Sequence, residues 1–393
     1  MQTQDNKATN VRKIVSVENQ KDLQALREAL VFSGGRIIRE LPLINGYLCE
    51  FRGDSAINLA ARELDADVKI EEDLEFKLCR NPNFSFFPGF FGPFWPVPQY
   101  PQAPQQPPKP QQPQKYIKPG KGIQQVDWGL RRIGAPFVWE KLKEKRIRVG
   151  IIDTGINTSH PDLHGNIVEG VSTLDDISSY EDDYGHGTHI AGIIGANNNY
   201  GITGINPYVD FYAVKAFNKS GQGSLSDIIE GIDWLLRRQV NIINMSFSTS
   251  ETNGTLVRVI RAAYSRGVIM VAAAGNDGGQ VNYPAKFPEV IAVSATDIND
   301  KIADFSCYGP EINFCAPGVN IRSTWLNSAY AVKSGTSFAA PHITGAIADV
   351  LNFHGIMPPS HVRELISKNA AVLQSLSPEQ QGAGMVDLRK LIN

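Results

Sequence analysis

The chain has 393 residues, 42% hydrophobic and 20% charged, enough for a large core and more than one folded unit. A formal net charge of −2 gives no electrostatic reason to expect nucleic acid or an anionic membrane surface as a partner. No apolar run reaches the ~18 residues needed to cross a bilayer. Residues 1–7 lack a cationic stretch followed by an apolar one, so no secretory signal is read. A cytoplasmic protein is expected, with non-classical export left open. Cys49, Cys79, Cys307 and Cys315 show no Cys-x-x-Cys spacing and are too few for a disulfide framework. Buried free thiols are expected.

In chain order, Ile14, Val15 and Val17 suggest a strand, and Leu23, Leu26 and Leu30 recur at helical spacing. Gly34-Gly35 makes a turn before a strand at Ile37-Ile38. Asn45-Gly46 is a hairpin-type turn ahead of a strand through Tyr47 and Phe51. Ala56, Leu59, Ala60 and Leu64 indicate a second helix, and Val68 and Ile70 a last strand. The order β-α-β-β-α-β is the ferredoxin-like split arrangement, so 1–79 is read as a small α+β domain. Residues 80–124 have no periodicity. They are aromatic first (Phe84, Phe86, Phe87, Phe90, Phe91, Phe94, Trp95) and then Pro/Gln-rich, which describes an extended linker. The aromatic half is expected to dock on an apolar surface.

From 125 to 393, short apolar runs alternate with helical patterns. Strands are expected at 147–152, 211–214, 241–245 and 268–272, with a helix through Ile228, Ile229, Ile232 and Leu235. Such alternation predicts an α/β fold, a doubly wound and mostly parallel sheet with helices on both faces. Sites in these sheets form at the carboxyl ends of the strands.

Three motifs fall at such places. Asp153 directly follows the strand 147–152. His186 lies in Gly185-His186-Gly187-Thr188-His189, where the glycines let backbone and ligand come close. Ser337 lies in Ser334-Gly335-Thr336-Ser337-Phe338, at the start of a long helical pattern. A helix N-terminus favours developing negative charge, although a serine there is also an ordinary cap. Asn276 leaves the strand 268–272, where its amide could donate to an oxyanion. His186 and His189 are three apart, but no carboxylate completes a zinc signature. His160, His164, His354 and His361 read as surface or loop residues, and His342 as structural.

The order Asp153, His186, Ser337, with these flanks, resembles the subtilisin-like serine peptidases, and the likeness covers nearly all of 125–393. It includes Val126-Asp127-Trp128-Gly129-Leu130 near the start and Gly382-Ala383-Gly384-Met385-Val386-Asp387 near the end. Residues 12–79 resemble the family's inhibitory propeptide. The resemblance implies a serine endopeptidase made as a self-processing zymogen. Ser337 would be the nucleophile, His186 the base and Asp153 its orienting acid. Asn276 and the Ser337 backbone N–H would form the oxyanion hole. His186 must be neutral to act, so acid should silence it. Ser246, Phe247 and Ser248 would form one cleft wall, pairing with substrate as an added strand, and Gly221, Gly223 and Leu225 the other. The small Ala273, Ala274 and Gly275 would line a pocket for a sizeable apolar P1 side chain. Cleavage is expected near Leu78 or Cys79, with the propeptide as the chain's own inhibitor.

The chain departs from the family at Ser248, where a glycine is usual, at Phe338, where secreted members often carry methionine, and in a short stretch from Asn276 to Tyr283. A structural calcium is implied, held by Gln124, Asp162 and Asn199. Two rivals remain: a catalytically silent sensor or scaffold of the same fold, and an esterase using the same triad.

Overall fold

The computed structural model describes residues 10–52, 67–79, 126–197 and 200–392. The expected helix at 56–64, the linker at 80–124 and the residues Gln124 and Asn199 lie outside them.

The N-terminal unit comprises β1 (Asn10–Val17), the helix Leu23–Phe32, β2 (Arg36–Leu41), β3 (Gly46–Arg52) and β4 (Val68–Glu72). Its sheet runs β2-β3-β1-β4, with β1 antiparallel to both neighbours, the order expected for a ferredoxin-like arrangement. Alternation along β1 and β3 puts Val15, Val17, Tyr47, Cys49 and Phe51 against Leu26 and Leu30 of the helix. The opposite face contributes Ile14 and Leu48 to a core shared with the larger unit. β5 (Glu75–Leu78) then leaves this unit and enters the other.

The larger unit is built on a seven-stranded parallel sheet. Its strands are β6 (Ile147–Asp153), β7 (Ile167–Ser172), β8 (Val209–Lys215), β10 (Ile242–Met245), β12 (Ile269–Ala273), β13 (Val290–Thr296) and β14 (Ile312–Pro317). They run in the order β14-β13-β12-β10-β6-β8-β7. Two short strands, β9 (Gln222–Ser224) and β11 (Phe247–Ser248), flank β5 instead. The inner strands are buried on both faces, which is why they read as continuous apolar runs. The helix Thr336–His354 crosses one face and is buried from Thr336 to Asn352. The helices Leu225–Arg237 and Gly254–Ser265 cover the other face and pack on the N-terminal unit.

Two carboxylates of the N-terminal unit cap those helices. Asp73 accepts from the Ser226 backbone N–H and hydroxyl, both at 2.8 Å. Glu71 accepts from the Gly254 N–H at 2.6 Å and from the Thr255 hydroxyl. Helix N-termini present unpaired N–H groups and a positive dipole end, so both acids sit where charge is favoured. Arg39 adds ion pairs to Asp227 and Glu230 at 2.9 Å and to Asp175 at 2.6 Å. Burial pushes the Asp175 carboxyl up, but Arg12 and Arg39 outweigh it and hold it below the usual range.

Candidate active site

The carboxyl ends of β6, β10 and β12 and the N-termini of two helices meet at one place. Asp153 is the last residue of β6 and is fully buried. The Thr154 N–H fixes its Oδ1 at 2.8 Å. His186 opens the helix His186–Gly195, and its Nδ1 lies 2.8 and 2.9 Å from the two Asp153 oxygens. A carboxylate only accepts, so Nδ1 carries the proton and Nε2 is left as the acceptor. Nε2 is buried and has no hydrogen-bond partner. Gly187 is required because a Cβ there would strike the Gly155 carbonyl. Asp182, not singled out from the sequence, anchors this helix. It accepts from the Gly185 N–H at 2.8 Å, the Thr188 N–H at 2.9 Å and the Thr188 hydroxyl at 2.6 Å. An acid four residues ahead of a helical histidine is the signal that could have found it.

Ser337 is the second residue of the helix Thr336–His354, and the cap position belongs to Gly335. The serine is therefore not a cap. Its Oγ donates to the Ser246 carbonyl at 2.8 Å rather than to His186. A buried polar chain holds the helix in place: Thr344 donates to Asn244, Asn244 to the Ser246 hydroxyl, and that hydroxyl to the Ser337 carbonyl, at 2.8 to 2.9 Å. Asn276 is oriented by Thr336, whose N–H and hydroxyl donate to its Oδ1 at 2.9 and 2.8 Å. Its Nδ2 is thereby turned away, buried and without a partner.

β5 occupies the cleft as a central antiparallel strand. Lys77 and Leu78 pair with Ser248 and Phe247 of β11, and Glu75, Phe76 and Lys77 with Ser224, Gly223 and Gln222 of β9. The Leu78 N–H reaches the Gly221 carbonyl and the Cys79 N–H the Ser246 carbonyl, both at 3.2 Å, and the Leu225 N–H donates to Leu74 at 2.8 Å. The Cys79 carbonyl accepts from the Ser337 N–H at 3.2 Å. Phe76 is fully buried, edge-on to Phe247 with centroids 5.6 Å apart, and Phe247 in turn packs on Phe217. The expected wall residues thus all face this strand. Ala273 lies buried in the same cluster as Cys79, while Ala274 is packed in the core on the other face of the sheet.

The histidines divide. His189 is buried, with Nε2 3.1 Å from the Ala331 carbonyl, so it does not pair with His186 around a metal. His342 is buried and structural, its Nδ1 donating to the Phe338 carbonyl at 2.8 Å. His160 is fully buried, not a surface residue: it packs against Tyr330 and accepts the Asp162 N–H. All four cysteines are free and buried.

The calcium expectation does not fit Asp162. Its Oδ1 accepts from the Tyr200 and Gly201 N–H groups at 2.7 and 3.2 Å. Its Oδ2 accepts from Gly201 and Ile202, both at 3.1 Å, and from the Tyr330 hydroxyl at 2.6 Å. Donors converging on a carboxylate occupy the lone pairs a hard cation would need. Among the described residues, no group of three or more His, Cys, Asp or Glu is placed to hold a metal ion.

A subtilase family profile matches residues 144–384. The chain belongs to the subtilase family of serine endopeptidases. It is 43% identical over 267 residues to the minor extracellular protease Epr of Bacillus subtilis, a match covering 67% of this chain and 41% of that protein. It is 41% identical to the thermostable alkaline protease of Halalkalibacterium halodurans over 67% of this chain and 72% of that protein. It is 40% identical to subtilisin Savinase of Lederbergia lenta over 67% of this chain and 97% of that protein. Among the described residues no helix is long and apolar enough to cross a membrane.

Proposed function

We propose that this subtilase is made as a self-processing zymogen whose N-terminal unit is its first substrate and then its inhibitor, with the cut between Cys79 and Arg80. The observation that carries the reading is the Cys79 carbonyl held 3.2 Å from the Ser337 N–H, at the end of a strand paired on both sides. Ser337 Oγ leaves the Ser246 carbonyl by a χ1 rotation and attacks the Cys79 carbonyl carbon. Its proton passes to His186 Nε2, and Asp153 stabilises the imidazolium through Nδ1. The oxyanion lies between the Ser337 N–H and the unpartnered Asn276 Nδ2. On collapse, His186 returns the proton to the leaving nitrogen of Arg80. Water, deprotonated by the same imidazole, then hydrolyses the acyl ester.

Released from the N-terminal unit, the same cleft takes an extended peptide between β9 and β11. The aromatic pocket around Phe76 favours an aromatic or large apolar residue four positions before the cut, counting the cleaved residue as the first. A cleft that binds six consecutive residues through main-chain pairs suits peptides better than small esters.

The test is the intact mass and N-terminal sequence of the full chain. Wild type should yield a fragment beginning at Arg80 and then hydrolyse casein. Ser337→Ala should stay full length and lose fluorophosphonate labelling. A wild-type chain that remains uncut and does not react with the probe would support the silent-scaffold reading instead.

A further inference from the structure

The side chain of Cys79 occupies the pocket that would hold the residue whose carbonyl is attacked, and polar groups reach into that pocket beside the apolar Ala273. Cys79 is 3% exposed. Its thiol donates to the Ser248 hydroxyl at 3.0 Å. The Thr336 hydroxyl, the Cys307 thiol and the Asp277 carboxylate also lie within interaction range of it. The floor is tied together: Cys307 donates to Asp277 Oδ1 at 2.7 Å, and Asn282 to Asp277 Oδ2 at 3.3 Å. A methyl group on Gly275 would lie 2.6 Å from Asn282 Nδ2 and 2.7 Å from Cys307 Sγ, so these two side chains fill the space beside the Gly275 backbone. Burial pushes both thiols up to about 12, which keeps them protonated and able to donate.

We infer that Ser248, backed by Cys307 and Asn282, makes this peptidase select a small side chain bearing a thiol or hydroxyl, such as Cys or Ser, at the cleaved residue. The inference rests on the assignment of Cys79 to that position. It replaces the large apolar preference expected from the small residues Ala273, Ala274 and Gly275. An aromatic or branched side chain would have to displace Ser248 or the Cys307–Asp277 pair and would forfeit the hydrogen bond that the Cys79 thiol makes to the half-buried Ser248 hydroxyl. That penalty is expected to exceed about tenfold in rate.

The full chain supplies the first measurement. Self-cleavage of Cys79→Ser should run within about threefold of wild type, and Cys79→Leu and Cys79→Phe at least about tenfold slower. Adding Ser248→Gly to Cys79→Leu should recover most of the loss. A Phe chain that processes as fast as wild type overturns the inference. The second measurement needs no variant, and because both probes compete with β5 for the same cleft their ratio does not depend on how much of the protein is processed. Peptidyl phosphonates ending in serine or phenylalanine analogues, otherwise carrying Phe-Lys-Leu, are compared for their rate of labelling Ser337 in the wild-type protein. Faster labelling by the serine analogue supports the inference, and equal or faster labelling by the phenylalanine analogue overturns it. If the probes react but the chain never cuts itself, only the self-processing assignment falls and the probe ratio decides this one. If no probe reacts even with cut protein from which the N-terminal unit has been digested or diluted away, the peptidase reading and this inference fail together.

Discussion

Acid should unfold this protein through two buried histidines. His342 and His189 have no exposed surface, and His342 Nε2 has no hydrogen-bond partner. Burial pushes His342 down to about 4 and His189 down to about 3, from an ordinary value of 6.5. Below pH 6.5 the unfolded chain takes up a proton at each site, while the folded chain refuses it until the depressed value is reached. The stabilisation from burying them neutral is therefore complete above pH 6.5 and is lost as pH falls. At about 1.4 kcal/mol per pKa unit, that is roughly 3 kcal/mol for His342 and roughly 5 kcal/mol for His189. A typical domain has about 5–15 kcal/mol in all, so the loss decides whether the fold survives at pH 4. The assay is urea unfolding of the Ser337→Ala chain, which cannot digest itself, between pH 7 and pH 4.5. The same series on His342→Asn separates the histidine from the carboxylates that titrate nearby. That variant should be less stable at pH 7, yet its stability should fall less steeply by about 1.4 kcal/mol per pH unit. Equal slopes for the two proteins would refute the reasoning.

Three further outcomes are expected. Asp349 is fully buried beside the Asn206 amide, and burial outweighs that neighbour and raises its pKa well above 3.8, so the folded chain keeps a proton that the unfolded chain sheds. Asp349→Asn should then add about 1–3 kcal/mol at pH 8 and little at pH 4, read by urea midpoints at the two values; a loss at pH 8 would contradict this. Because Asp162 is tied by backbone N–H groups and Tyr330, a chelator should leave the melting temperature unchanged, whereas Tyr330→Phe should cost about 1–2 kcal/mol. A chelator-induced drop would return calcium to Asp162. Asp73→Ala should weaken the hold of the cut N-terminal unit by about 1.5–3 kcal/mol, seen as about tenfold or more faster appearance of casein hydrolysis after dilution.

What was legible in the sequence was whatever depends on local pattern. The runs at 147–152 and 268–272 are apolar because both faces of their strands are covered, and they ended where Asp153 and Asn276 were expected to stand. The pairing of Asp153 with His186 was implied by the resemblance of their motifs to the subtilisin-like peptidases, not by local pattern. Contacts between segments far apart in the chain were not legible. Nothing near Asp162 announced that Tyr330, 168 residues later, would donate to it. Glu71 and Asp73 look like ordinary surface acids until two helices some 150 to 180 residues on present their N-termini to them. The polarity of the pocket around Cys79 was hidden for the same reason: its walls come from Ser248, Asn282, Cys307 and Thr336, brought together only by the sheet.

The strand β5 has a kinetic consequence. Before the cut, it is joined by covalent bonds to the unit it occupies, so its occupancy of the cleft does not depend on protein concentration. Tethering of this kind acts as an effective concentration. A cut after Cys79 makes the same set of contacts bimolecular. From then on the fraction of open clefts is set by dilution and by destruction of the released fragment, and the first molecules to open would free the others by digesting it. The onset of activity would be autocatalytic, with a lag that lengthens with protein concentration whenever rebinding outpaces digestion.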